Sequence, residues 1–222
     1  MIGSSGGIGA AVADALDGDA SFSGVIRLSC QSDGFDLRDE PSIERAAAAI
    51  KARPEPIRLI FVATGLLSSE DIAPEKSLRD LDAGTLATLF AINTIGPALV
   101  AKHFLPLLPR HGKSMFAALS ARVGSIGDNQ LGGWYGYRAS KTALNQIIHT
   151  AAIELARSRL EAVCVTLHPG TVATRLSQPF AKSGLPVQSP AEAAGRLLSA
   201  VAGLCAEDTG GFFDHRGERI AW

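Results

Sequence analysis

The chain has 222 residues, with 21 basic residues against 22 acidic, and 46% of it is hydrophobic. That composition excludes a disordered polypeptide, and a formal net charge of -1 offers no global field for nucleic acid or an anionic membrane. Cys30, Cys164 and Cys205 form no C-x-x-C pair, which excludes a disulfide framework or zinc site and fits small buried hydrophobes in a reducing cytoplasm. The five histidines show no metal-ligand spacing, so no metal is expected. No apolar run approaches the ~20 residues of a membrane span, and Met1 leads straight into glycines without the basic start of a secretory signal. At roughly 150 residues per domain, one domain over residues 1–222 is expected.

In chain order, short apolar runs alternate with longer helical patterns, as in a parallel α/β sheet covered on both faces. Ile8, Val12 and Leu16 put an apolar stripe on a helix over residues 8–16, stopped by Gly18. Residues 24–29 (GVIRLS) read as a strand and residues 35–37 as a very short second one. A helix is expected over 43–52, then a strand over 58–64 (RLIFVAT). A long helical pattern runs over 83–108, with a kink expected at Gly96-Pro97. Strands over 114–120 and 162–167 flank a helix over 137–157. A helix over 191–204 and a last strand over 211–214 close the pattern. Two elements are reduced. Only Met1 and Ile2 precede the glycine-rich segment as a truncated first strand. Too few residues lie between Cys30 and Phe35 for a crossover helix.

Residues 3–9 read Gly3-Ser4-Ser5-Gly6-Gly7-Ile8-Gly9 and run into a helix. Glycines let a phosphate approach the backbone, and the helix start offers N–H groups and a positive dipole end. A Gly/Ser-rich tail is the bland alternative. Farther on, Tyr137 and Lys141 stand at i and i+4 and share a helix face. A phenol with pKa near ~10 is a poor proton carrier at neutral pH. A nearby ammonium favours the phenolate and tunes it for transfer to or from a carbonyl or hydroxyl oxygen. Tyr135 falls on another face.

These residues, taken with Asp36, Asn93 and Pro169-Gly170-Thr171-Val172-Ala173-Thr174, follow the order and spacing of the short-chain dehydrogenases/reductases, which the whole sequence resembles. The stretch SARVGSIGDNQLGGWYGYRASKTALN looks closest to a C-factor-like branch, relatives of a bacterial cell–cell signalling protein. The resemblance implies a doubly wound, Rossmann-like sheet with a nicotinamide dinucleotide at its carboxyl edge, a small carbonyl or alcohol substrate, and a homo-oligomer (dimer or tetramer) built on the two long helices. Gly3, Ser5, Gly7 and Ile8 would cradle the pyrophosphate. Asp36 would accept from the adenine amino group beside Leu37, and Ala63 to Gly65 would line the adenosine. Tyr137 would be the acid/base. Lys141 would bind the nicotinamide ribose and lower the tyrosine pKa, and Asn93 would hold a relay water. Pro169, Val172 and Thr174 would hold the carboxamide.

The pattern is departed from in four places. The family's catalytic serine aligns with Ala121, leaving Ser120 and Ser125 as candidates. The usual Asn-Asn-Ala-Gly is Val62-Ala63-Thr64-Gly65. The run Leu28-Ser29-Cys30-Gln31-Ser32 carries no charge to select NAD or NADP, with a mild lean to NADP since no carboxylate repels a 2′-phosphate. The truncated first strand is expected to leave its neighbours with unpaired backbone groups and to weaken cofactor affinity and stability. Two rivals follow: a dinucleotide-binding signalling protein with little turnover, and an interaction module that has lost the cofactor.

Overall fold

The computed structural model describes residues 1–177 and 187–222. Four parallel strands, β1 (Leu59–Val62), β2 (Ser114–Leu119), β3 (Ala162–His168) and β4 (Phe212–Asp214), lie side by side in sequence order. Their alternation sorts the core into two faces. Ile60, Val62, Phe116, Ala118, Ala162 and Cys164 point to one side. There they meet α3 (Glu40–Lys51), α5 (Gly96–Phe104) and α6 (Tyr135–Ala156) through Ile43, Ile50, Val100, Phe104, Leu144 and Ile148. Phe61, Met115, Ala117, Val163, Val165 and Leu167 point to the other, against Val12 and Leu16 of α1 (Gly7–Asp17) and Leu197 and Val201 of α7 (Pro190–Gly203). Each large apolar residue buried in this way contributes about 1.5–3 kcal/mol. The sheet is therefore doubly wound, and its strands are buried along nearly their whole length and mostly apolar for that reason.

Two of the expected strands are not ladder strands. Residues 24–29 run extended, but only Leu28 bridges, to Ile2. Residues 35–37 form no strand at all. Instead a short turn of helix, α2 (Cys30–Asp33), ends on Gly34 at φ 62 and brings the backbone round on the same side. Phe35 plugs the core, edge-on to Phe104 with ring centres 6.3 Å apart. The connection is too short to cross the sheet, so the hydrophobic side chain packs under it.

Ile2 is a one-residue strand that bridges Leu28 and Val62 at once. Its N–H donates to Phe61 (2.8 Å) and its C=O accepts from Ala63 (2.9 Å), while Leu28 N–H donates to Met1 (2.9 Å). The expected gap is thus closed at the carboxyl edge, where the glycine loop departs. Behind it the Met1 ammonium donates to Ile26 C=O at 2.8 Å. A cavity of about 730 Å³ continues the line of that strand, lined by Ile26, Ile57, Leu59 and Phe61 among others. Ladder alternation turns the Leu59 C=O and Phe61 N–H toward it.

The kink is also absorbed differently. α4 (Ala83–Phe90) passes through a wider π turn, Ala91–Ile95, into α5, where Pro97 lies in the first turn and needs no donor. A Cβ on Gly96 would lie 2.6 Å from the Leu37 Cβ, so glycine lets the Asp36–Leu37 turn approach. Ala83–Leu107 makes 25 helical residues, an 18-residue stretch of which has mean hydropathy 1.5, enough by length and composition alone to span a membrane. Leu89, Asn93, Val100 and Phe104 of that helix are buried in the protein itself.

Candidate active site

The glycine segment forms a cradle at the carboxyl edge. Gly3 has φ +81, and a Cβ there would lie 2.9 Å from both Ala63 O and Thr64 Cγ2. A Cβ on Gly9 would overlap the Gly3 carbonyl, and one on Gly7 would come within 3.0 Å of Thr174 Cγ2. Thus Gly3, Gly7, Ala63 and Thr174, far apart in sequence, converge. α1 starts at Gly7 with no side chain bonded to its first-turn N–H groups, so those donors face the cradle with the positive end of the dipole. Ser5 is exposed and Ile8 half-buried beside it. The Thr64 hydroxyl is buried without a partner. An open glycine bend, uncapped donors and an orphaned hydroxyl fit a dinucleotide phosphate.

One strand over, the first two turns of α6 place Tyr137 and Lys141, both buried. Lys141 Nζ donates to Leu119 C=O at 2.9 Å. A Cβ on Gly65 would lie 3.5 Å from that Nζ and 3.6 Å from Asn93 Oδ1, so the end of β1 passes over both. Asn93, in the π turn, accepts from Leu66 N–H (2.7 Å) and donates to Leu66 C=O (2.8 Å) and the Ser140 hydroxyl (3.1 Å). Its amide therefore clamps the Gly65–Leu66 backbone. No hydrogen bond joins Tyr137 to Lys141, and burial pushes the tyrosine up and the lysine down, to about 8. The expected lowering of the phenol by the ammonium is absent because desolvation of both groups dominates.

Both candidate serines are buried. Ser120 N–H stays in the ladder, donating to Leu167 C=O (2.7 Å), and its hydroxyl has no partner. Ser125 Oγ accepts from Asp128 N–H at 3.1 Å. The Asp36 carboxylate is held by the backbone N–H and guanidinium of Arg38, which lowers its pKa. In the Pro169–Thr174 loop, Val172 bridges Gln188, whose Nε2 donates to Pro169 C=O (3.3 Å). The Thr174 hydroxyl lies 3.2 Å from that of Ser177. The segment at 178–187, which the sequence offers as one wall of the substrate pocket, falls almost wholly outside the described residues.

A family model described as short chain dehydrogenase matches residues 29–183. The protein belongs to the short-chain dehydrogenase family. It is 34% identical over 146 residues to C-signal of Myxococcus xanthus, covering 66% of this chain and 84% of that one. It is 29% identical over 189 residues to 1-hydroxy-2-glutathionyl-2-methyl-3-butene dehydrogenase of Rhodococcus sp. (strain AD45), covering 85% and 79%. Two solved structures share its fold: the carbonyl reductase Sniffer of D. melanogaster (TM-score 0.83, 23% identity, 100% of this chain and 97% of that one) and an NADPH-bound carbonyl reductase from chicken fatty liver (TM-score 0.82, 23%, 100% and 97%).

Within this short-chain dehydrogenase, the structure singles out three residues. Thr64, already within the Ala63–Gly65 run, is one, by its orphaned hydroxyl. Asp33 is another: its carboxylate folds back at the end of the Leu28 strand to accept from Ser29 N–H (3.1 Å) and the Ser32 hydroxyl. An acidic group therefore stands where the run from Leu28 to Ser32 offers none. The spacing Ser29-x-x-x-Asp33 was the available signal. The third, Glu75, had none.

Proposed function

We propose that this short-chain dehydrogenase transfers a hydride between a nicotinamide dinucleotide and a small carbonyl or alcohol substrate, with Tyr137 as acid/base. The observation that carries the reading is the buried pair Tyr137 and Lys141 on one face of α6, with Lys141 beneath Gly65 and Asn93, on the same sheet edge as the open glycine cradle. When bound, the dinucleotide supplies the hydride acceptor or donor at its nicotinamide ring.

The protein's own residues then divide the work. Gly3, Ser5, Gly7 and Ile8 cradle the pyrophosphate, the last three through backbone N–H groups, joined by the Thr64 hydroxyl. Ala63 and Gly65 line the adenosine side with Asp36 and Leu37. Pro169, Val172 and Thr174 orient the nicotinamide carboxamide. Tyr137 gives its proton to a carbonyl oxygen or takes one from an alcohol. Lys141 holds ribose hydroxyls and, once charged beside the phenol, favours phenolate. Asn93 holds the Gly65–Leu66 turn and, through it, the site's shape. Ser120 donates its unpaired hydroxyl to the substrate oxygen, a preorganised donor of the kind worth about 10²–10³ in rate.

The cofactor is read as NADP(H), supported by the NADPH-bound chicken relative. Asp33 argues the other way, since a carboxylate there disfavours a 2′-phosphate. The likeness to C-signal supports the second reading, a dinucleotide-binding signalling protein with little turnover. A panel of aldehydes, ketones and alcohols with NADPH and NADH, followed by cofactor absorbance, tests the proposal. Turnover with at least one pair is expected. Cofactor binding with no turnover across the panel leaves the signalling reading standing.

A further inference from the structure

Helix α6 carries Tyr137, yet its first turn has no cap of its own. The residue before it is Trp134, whose indole offers no acceptor and whose backbone is left-handed at φ 55. A bulky non-glycine residue is strained there and needs to be held. Glu75, from the loop between β1 and α4, supplies both needs. Its backbone carbonyl accepts the Trp134 N–H at 2.6 Å. Its carboxylate accepts the Gly136 N–H, each oxygen 3.2 Å away.

Glu75 is only 3% exposed. A buried carboxylate is costly unless bonded, and the start of a 22-residue helix is where N–H groups and dipole favour negative charge. The neighbourhood is cut to admit it. A Cβ on Gly136 would stand 2.7 Å from Glu75 Oε1 and 2.8 Å from Leu89 Cδ1. The Trp134 ring in turn meets the Tyr137 ring edge-on, with centres 6.3 Å apart. One residue therefore fixes the neighbour of Tyr137 and the ring that packs against it.

We propose that Glu75 is a positioning residue for Tyr137: it fixes the first turn of α6 and fastens it to the loop at 66–82. The phenol and that loop then keep a single relative geometry. The inference rests on Tyr137 being the acid/base, and its test separates the two ideas. The sequence has two tyrosines, Tyr135 and Tyr137, so Tyr135→Phe leaves Tyr137 as the sole titrating phenol, readable by phenolate absorbance.

In that background Glu75→Ala and Glu75→Gln are compared for the Tyr137 titration, for NADPH affinity, and for reduction of nitrobenzaldehyde by NADPH. Glu75→Met, which keeps volume but offers no acceptor, replaces alanine where alanine does not fold. The variants without an acceptor are expected to shift the Tyr137 titration and lower kcat by about 10–100-fold, with NADPH affinity unchanged. Glu75→Gln, which still accepts from Gly136, recovers most of the loss. An acceptor-free variant whose kcat and Tyr137 titration both match the Tyr135→Phe parent overturns the inference. Full turnover by Tyr137→Phe would instead refute the acid/base reading, and the titration would still report on Glu75.

Discussion

At Tyr137 and Lys141 burial outweighs pairing. The lysine directs a proton to the Leu119 carbonyl, and both side chains are shifted toward their neutral forms. The choice between the two serines is argued on the same scale. Ser125 already accepts a backbone N–H, whereas the buried Ser120 hydroxyl has no hydrogen-bond partner, which supports it as the proposed donor. Ser120→Ala is therefore expected to lower kcat about 10²–10³-fold and Ser125→Ala by far less, as measured by steady-state kinetics on one active substrate. The reverse ranking reassigns the donor. Asp33 gives a second prediction. Removing its charge by Asp33→Asn is expected to tighten NADPH about tenfold relative to NADH, a change of roughly 1.4 kcal/mol, in a competitive titration. An unchanged ratio would place Asp33 outside cofactor selection.

On the scale of elements, Ile2 alone bridges Leu28 and Val62, and a cavity lined by Ile26, Ile57, Leu59 and Phe61 lies behind it. At the end of β3, burial first, with Arg122 and His215 adding, lowers His168 from 6.5 to about 4. The folded state therefore binds fewer protons than the unfolded one between those values. The stability this contributes is full above pH 6.5 and is lost as pH falls toward 4, up to about 3 kcal/mol. Denaturant midpoints in neutral and acid buffer should show this slope, flattened in His168→Asn.

The elements most legible in the sequence are those with long periodic faces, such as the helix around Tyr137 and the strand at 162–167. Residues 35–37 mislead because an isolated apolar residue looks the same whether it pairs in a ladder or, like Phe35, plugs a core. The cradle is legible because close backbone approach requires glycine. Asp33 and Glu75 are not, because each acts on a backbone N–H that no side-chain pattern reveals.

For the whole molecule, two apolar layers on opposite faces of one sheet hold the cradle and the phenol to a common edge. The central claim is that this edge binds a nicotinamide dinucleotide and that Tyr137 moves the proton. Its most direct test is turnover of a panel substrate by Tyr137→Phe at saturating NADPH, with cofactor affinity measured in parallel. The account predicts unchanged affinity and a rate lower by about 10²–10⁴. Equal rates in the variant and the parent would contradict it.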